Sequence, residues 1–255
     1  MKKIKLLLQY DGTNYFGWQR QPDRPSIQGT IEKALYEITG KKTNLTASGR
    51  TDRGVHALGQ VAVFKTTTNL SPKDFQNALN SLLPPDIRVL YAEEVPEDFN
   101  PRFGVKRKRY IYLINRAEVQ SPFLYRYTYH WRGPLDTDAM KRACSVLLGT
   151  KDFRAFQSAG SSVKTTVRTL FEATIQQMSR FYFLAFSLEG PLLVFSFEAD
   201  GFLKQMVRNI VGTLLEVGKG ALPPEEIERI LASGDRKQAG PTVPANGLFL
   251  ERVIY

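Results

Sequence analysis

The segment "ASGRTDRGVHA", Ala47 to Ala57, holds one acid, Asp52, between Arg50 and Arg53, with Gly49 and Gly54 closing it on both sides. Read plainly, it is a polar loop ahead of a strand, and its charges form a surface ion pair worth about 0 to 1 kcal/mol. Three features favour a chemical role. Neighbouring guanidinium groups favour the ionised carboxylate, glycines let a substrate backbone come close, and a carboxylate can serve as nucleophile or base. Few other reactive side chains compete for the work. His56 and His130 are the only histidines and Cys144 is the only cysteine, which excludes an internal disulfide and a cysteine-rich zinc site. No spacing suggests a metal or a bound cofactor. Cys144 falls at helical spacing with Met140, Ala143, Leu147 and Leu148 and reads as a buried thiol. His56 reads as a hydrogen-bonding residue at the start of a strand.

Two further segments carry candidates. Tyr110, in "KRYIYLIN", is either a strand core residue or a flat face for a ring, and the basic run Lys106, Arg107, Lys108 and Arg109 precedes it. Arg208 lies in "GFLKQMVRNIVGTLLEVG", where Leu203, Met206, Val207, Ile210, Val211 and Leu214 make an apolar stripe. Gly201, Lys204, Arg208 and Gly212 are expected together on another face, either as a solvated stripe or as a place where a second segment approaches an arginine.

These residues need a scaffold, and the pattern supplies one. "KIKLLLQY", the helix pattern of Ile27, Ile31, Leu35 and Ile38, and "QVAVFKT" alternate strand and helix. "SPKDFQNALNSLLPP" follows, with Ser71 as N-cap, Pro72 in the first turn, Asp74 completing a capping box and Pro84 stopping the helix. "IRVLYAEEV" closes a β-α-β-α-β series. After a boundary near Pro101 to Lys106 come the strands "RYIYLIN" and "YTYHWRG" and the helix around Cys144. Three strands are expected next ("TVRTLFEATIQ", "FYFLAFSL", "LLVFSFEA"), then two helices and the strand "GLFLERVIY". The expectation is an α+β fold of two ferredoxin-like or RNA-recognition-like halves, 1–104 and 105–255, with largely antiparallel sheets.

A length of 255 residues with 42% hydrophobic content supports a folded core, and a net charge of +10 points to an anionic partner, of which nucleic acid is the commonest. No run approaches the roughly 18 apolar residues of a membrane span, and no secretory pattern opens the chain, so a cytoplasmic protein is expected.

"GRTDRGVHA" resembles the active-site motif of the TruA family of tRNA pseudouridine synthases. "YDGTNYFGWQRQP", "PRFGVKRKRYIY", "GFLKQMVRNIVGTLLEVGKG" and "AGPTVPANGLFLERVIY" resemble the same family in the same order, so the resemblance spans essentially the whole chain. It implies that Asp52 is the catalytic aspartate, that Tyr110 stacks on the target base, and that Arg208 pairs with the aspartate across a cleft between the halves. It further implies that Arg50 steers the nucleotide out of its stack. The implied reaction isomerises uridine at positions 38 to 40 of the tRNA anticodon stem-loop, needs no cofactor or metal, and is carried out by a homodimer. Phosphate contacts would fall to Arg20, Arg24, Lys41, Lys42 and the run Lys106 to Arg109. Arg53 and the run Gly104, Val105 and Lys106 depart from the family's usual residues. Two other classes compete: a non-catalytic RNA-binding protein with the same halves, and a metal-dependent nuclease built on clustered acids.

Overall fold

The computed structural model describes residues 1–160, 163–183 and 186–255. In chain order the elements are β1 (Lys2–Tyr10), α1 (Ile27–Thr39), β2 (Thr46–Ala47), β3 (His56–Thr66), α2 (Pro72–Leu82), β4 (Ile87–Val95), β5 (Arg107–Asn115) and β6 (Tyr129–His130). They continue with α3 (Thr137–Val146), β7 (Gly149–Asp152), β8 (Val167–Phe183), β9 (Phe186–Ala199), α4 (Met206–Gly218), α5 (Glu226–Ser233) and β10 (Leu248–Ile254). The chain divides into two compact units, Met1–Lys106 with Phe249–Tyr255, and Arg107–Leu248. The architecture is mixed α+β, with five α-helices among the described residues and mostly antiparallel strand pairing.

In the first unit β1 is central, with β4 on one side and β3 on the other, both antiparallel. The far edge of β3 is shared by β2, antiparallel, and β10, parallel in the register Phe249↔His56. Alternation along β1 sends Ile4, Leu6 and Leu8 into the core, each without exposed surface. Facing them, α1 buries Ile27, Ile31 and Leu35, and α2 buries Phe75 and Leu79. Each such side chain contributes about 1.5–3 kcal/mol on burial. Ser26 caps α1 by accepting from the Gly29 N–H, and the Ser71–Asp74 capping box and Pro72 open α2 as expected. The register of β1 on β3 slips between Leu8 and Tyr10, where the sheet gives way to the Asp52 loop.

In the second unit β5, β9, β8 and β7 follow one another as antiparallel neighbours, and β6 adds a short parallel pairing to β5. The helix α3 is capped by Asp136, whose carboxylate accepts from the Asp138 and Ala139 N–H groups. It buries Met140, Ala143 and Cys144. The core continues through Phe153, Phe156, Phe195 and Phe197 to Ile210 and Leu214 of α4.

Three expectations need correction. Two long strands, β8 and β9, replace the three expected, and "FYFLAFSL" divides between them with Leu184 and Ala185 outside the described residues. Only Tyr129–His130 of "YTYHWRG" pairs as strand. The helix expected from Gly201 begins at Met206, because Gln205 adopts a left-handed φ of 60° that a helix cannot contain. Gly201 and Lys204 therefore precede the helix and share no face with Arg208 and Gly212.

Candidate active site

The Asp52 loop is gripped from below by a buried polar network. Gln60, on β3, accepts from the Ser48 hydroxyl at 2.7 Å and donates to the Gly49 carbonyl at 3.0 Å. The Tyr10 hydroxyl, at the end of β1, lies 2.9 Å from Thr51 Oγ1 and accepts from Gln60 Nε2 at 3.4 Å. Gln60, Ser48, Thr51 and Tyr10 are all buried. Burial pushes the Tyr10 hydroxyl up to about 12, against the opposing hydrogen bonds of Thr51 and Gln60. These contacts fix the loop on the Arg50 side of the acid, and none of them involves a charged group.

The other side is fixed by backbone packed on backbone. Trp18 N–H donates to the Thr51 carbonyl, Gly54 N–H to the Tyr15 carbonyl, and Val55 N–H to the Asp52 carbonyl. Gly17, at φ 87°, lies so close that a Cβ there would stand 2.6 Å from the Thr51 oxygen and 3.0 Å from the Asp52 carbonyl carbon. Only glycine satisfies both the dihedral and the space. His56, buried at the start of β3, accepts from the Gly12 N–H and stacks on Phe249 of β10. Between buried Thr51 and buried Val55, Asp52 remains part-exposed, while Arg50 and Arg53 reach solvent. Beside the loop opens a cleft of about 210 Å³ lined in part by Trp18, Gln28, Asn44, Thr46, Gly49 and Arg50.

In the second unit Tyr110 occupies β5 and meets Phe202 edge-on at 4.9 Å, 9% exposed. Its basic neighbours are engaged with acids. Arg107 pairs at 3.0 Å with Glu198 and packs over Phe171, and Arg109 pairs at 3.0 Å with Glu172. Lys108, opposite Ala199 of β9, is partly buried. Tyr112, two residues along β5 and on the same face as Tyr110, donates to the Pro244 carbonyl at 2.8 Å. Burial pushes its hydroxyl far above the usual tyrosine range, and the positive charge of Arg208 opposes that shift.

Arg208 reaches the same loop. Its Nε donates to the Val243 carbonyl at 2.8 Å, and the Val243 N–H returns to the Arg208 carbonyl. Gly212, one turn on, permits this approach: a Cβ there would stand 1.7 Å from the Pro241 oxygen. The approaching segment expected beside Arg208 is thus Gly240 to Val243. It is pinned by residues the sequence did not single out. Arg236 donates to the Ala239 and Gly240 carbonyls, Asn209 Oδ1 and Thr242 Oγ1, and Thr242 donates to Asn209 at 2.6 Å. The one available signal was a lone asparagine inside the apolar stripe of α4.

Cys144 is buried in α3, and burial pushes its thiol up to about 12, which removes it as a nucleophile near neutrality. Trp18 is a core residue, whereas Phe16 stays half-buried at the loop surface. Among the described residues no three His, Cys, Asp or Glu side chains gather as metal ligands, and no helix is long and apolar enough to cross a membrane.

Comparison with known proteins places this arrangement. A family model described as tRNA pseudouridine synthase matches residues 7–104 and 143–255. The protein called tRNA pseudouridine synthase A in Thermodesulfovibrio yellowstonii is 47% identical over 255 residues, covering all of both chains. Proteins of the same name in Acetivibrio thermocellus and Caldicellulosiruptor bescii are each 46% identical, again over both full chains. The matched segments include the Asp52 loop, Arg208 and the Gly240 to Val243 loop, so the chain belongs to the tRNA pseudouridine synthase A family.

Proposed function

We propose that this protein isomerises uridine to pseudouridine in tRNA, at positions 38 to 40 of the anticodon stem-loop, with Asp52 as the reacting carboxylate. The observation that carries this reading is the Asp52 loop itself. A part-exposed acid stands on backbone locked by Gly17 and by the Tyr10–Gln60 network, in a chain 47% identical along its length to a tRNA pseudouridine synthase A. Such rigidity holds a reacting group within the small tolerance that chemistry demands.

The reaction breaks the bond from uracil N1 to the ribose, turns the base, and joins C5 to the same sugar carbon, while the C5 proton leaves to solvent and N1 takes up a proton from it. Atoms and electrons balance without an outside group. Asp52 acts as a nucleophile at the sugar or the base, or as a base at the sugar. Tyr110 supplies a ring face to the detached uracil, and stacking of this kind is worth about 1 to 3 kcal/mol per base. Arg208, held by the Val243 carbonyl, directs a guanidinium to the carboxylate. Arg50, exposed and without a hydrogen bond or ion pair among the described residues, takes the space the flipped nucleotide leaves. Arg107, Lys108 and Arg109 add positive charge beside Tyr110 for the RNA backbone.

The same reading includes a homodimer acting on tRNA in the cytoplasm. It also includes a ferredoxin-like or RNA-recognition-like plan for both units. The connectivity β1-α1-β2-β3-α2-β4, with β4, β1, β3 and β2 as successive neighbours, supports that plan for the first.

The test is to incubate an unmodified tRNA transcript with the protein and map pseudouridine by chemical derivatisation and primer extension. New stops at positions 38 to 40 are expected. RNA that is bound but left unmodified would favour a non-catalytic binding module.

A further inference from the structure

Phe16 stands in the loop that leads from β1 to α1, and two guanidinium groups lie against its ring. The Arg24 Cζ is 4.7 Å from the ring centroid and the Arg53 Cζ is 4.3 Å from it. Two like charges are therefore held within the sum of those distances of one another, beside the acid of the candidate site. Their placement is built into the backbone. Phe16 N–H donates to the Pro25 carbonyl, Gln21 Nε2 donates to the Phe16 carbonyl, and Gln21 bridges to Arg24 through a turn in which Asp23 takes a left-handed φ of 56°. Next along the chain, Gly17 packs on the backbone of Thr51, Asp52 and Arg53, which brings Arg53 to the same ring.

Four other arginines already have partners within the protein. Arg20 pairs with Glu32, Arg107 with Glu198 and Arg109 with Glu172, and Arg88 donates to three carbonyls. Among the described residues the side chains of Arg24 and Arg53 have neither a hydrogen bond nor an ion pair, and both residues are exposed. Two guanidinium groups against one ring, with ten N–H donors and no side-chain acceptor among the described residues, call for an anion with several oxygens. The aromatic ring holds the two cations together before the anion arrives, which lowers the ordering cost of binding it.

We propose that Arg24 and Arg53, braced on Phe16, form a binding site for a backbone phosphate of the RNA next to the nucleotide that meets Asp52. The site rests on the reading of RNA as the substrate. It gives Arg53 a role that the bare sequence left as a departure from the family pattern.

The experiment measures affinity for an unmodified tRNA transcript against salt, in an Asp52→Asn background so that turnover does not interfere. Arg24→Gln and Arg53→Gln are each expected to lower the slope of log affinity against log salt by about 0.7 to 0.9, the loss of one phosphate contact. Arg142→Gln, on α3, is the reference for a general surface charge. Slopes that fall no further than this reference overturn the proposal. Weaker binding at unchanged slope also overturns it, since the pair then holds a base. The two readings separate cleanly. Loss of slope, together with a parent protein (Asp52 intact) that leaves tRNA unmodified, keeps the phosphate site and removes the isomerase, and the reverse pattern removes only the site.

Discussion

Replacing Gly17 by alanine tests whether the backbone packing beneath Asp52 sets its position. Two costs add at this residue. An L side chain at φ 87° costs about 1 to 2 kcal/mol, because the Cβ crowds the following carbonyl. The new methyl would also stand 2.6 Å from the Thr51 oxygen, so that oxygen must retreat by about 0.8 Å to reach ordinary contact, and such overpacking costs about 1 to 3 kcal/mol. Gly40 provides the matched control: its φ is 67°, and a Cβ there meets nothing within 4 Å. Gly40→Ala should therefore cost about 1 to 2 kcal/mol, and Gly17→Ala about 2 to 5 kcal/mol. Equilibrium urea unfolding reads the difference as a lower midpoint at unchanged slope. Because Thr51 and Asp52 must move together, turnover of tRNA should fall by about 10- to 100-fold in Gly17→Ala, and stay near the parental rate in Gly40→Ala. Equal midpoints for the two variants, with parental turnover in both, would refute the claim that this contact positions the acid.

The other predictions reach the rest of the site. Tyr10→Phe strips the hydroxyl shared by Thr51 and Gln60 in a buried place, so unfolding should show a loss of about 1 to 3 kcal/mol accompanied by reduced turnover. Arg236→Ala removes four donated hydrogen bonds that hold the Gly240 to Val243 loop. It should destabilise by about 2 to 4 kcal/mol, and Arg236→Lys should recover less than half, since an ammonium lacks the planar fork. Equal stability of Arg236→Lys and the parent would count against this account of the loop. Cys144, with its folded pKa raised to about 12, contributes stability that is intact below the unfolded value of about 8.5 and drains as pH climbs from there toward 12. At pH 8 a thiol reagent should label native protein only at the rate of unfolding; immediate labelling would mean that the thiol is not buried as described.

Where local chemistry decides the structure, the sequence could be read directly. Ser71, Pro72 and Asp74 announce α2 because capping acts within four residues, and β4 occupies the expected Ile87–Val95 because alternation and the prolines before it act locally as well. The start of α4 was hidden because Leu203 is buried at helical spacing from Met206 and Val207, although it belongs to an irregular approach; the left-handed Gln205 has no glycine to signal it. The β8–β9 hairpin was hidden for the opposite reason. The polar stretch Gln176 to Arg180 and the run Glu189, Gly190 and Pro191 read as breaks between strands, yet they lie inside β8 and β9.

In the site, the acid and its flanking glycines were visible as one local motif. What braces that motif was not, since Tyr10 and Gln60 lie 41 and at least 11 residues from the loop groups they hold and each resembles an ordinary strand residue. The same holds for the loop beside Arg208. Its close approach was suggested by Gly212, but the identity of the partner depends on Arg236, Asn209 and Thr242 meeting across the fold. Phe16 and Trp18 were indistinguishable as neighbours in one aromatic segment, and only packing separates them into a surface ring and a core ring.

Tritium release from tRNA labelled at uracil C5 tests the central claim most directly, because that proton must leave when C5 joins the sugar. The parent protein should release tritium, in chelator as well as without it. Asp52→Asn should bind the same tRNA, keep the parental unfolding midpoint within about 0.5 kcal/mol, and release none. Tritium released by Asp52→Asn at the parental rate would contradict the assignment of Asp52 as the reacting carboxylate.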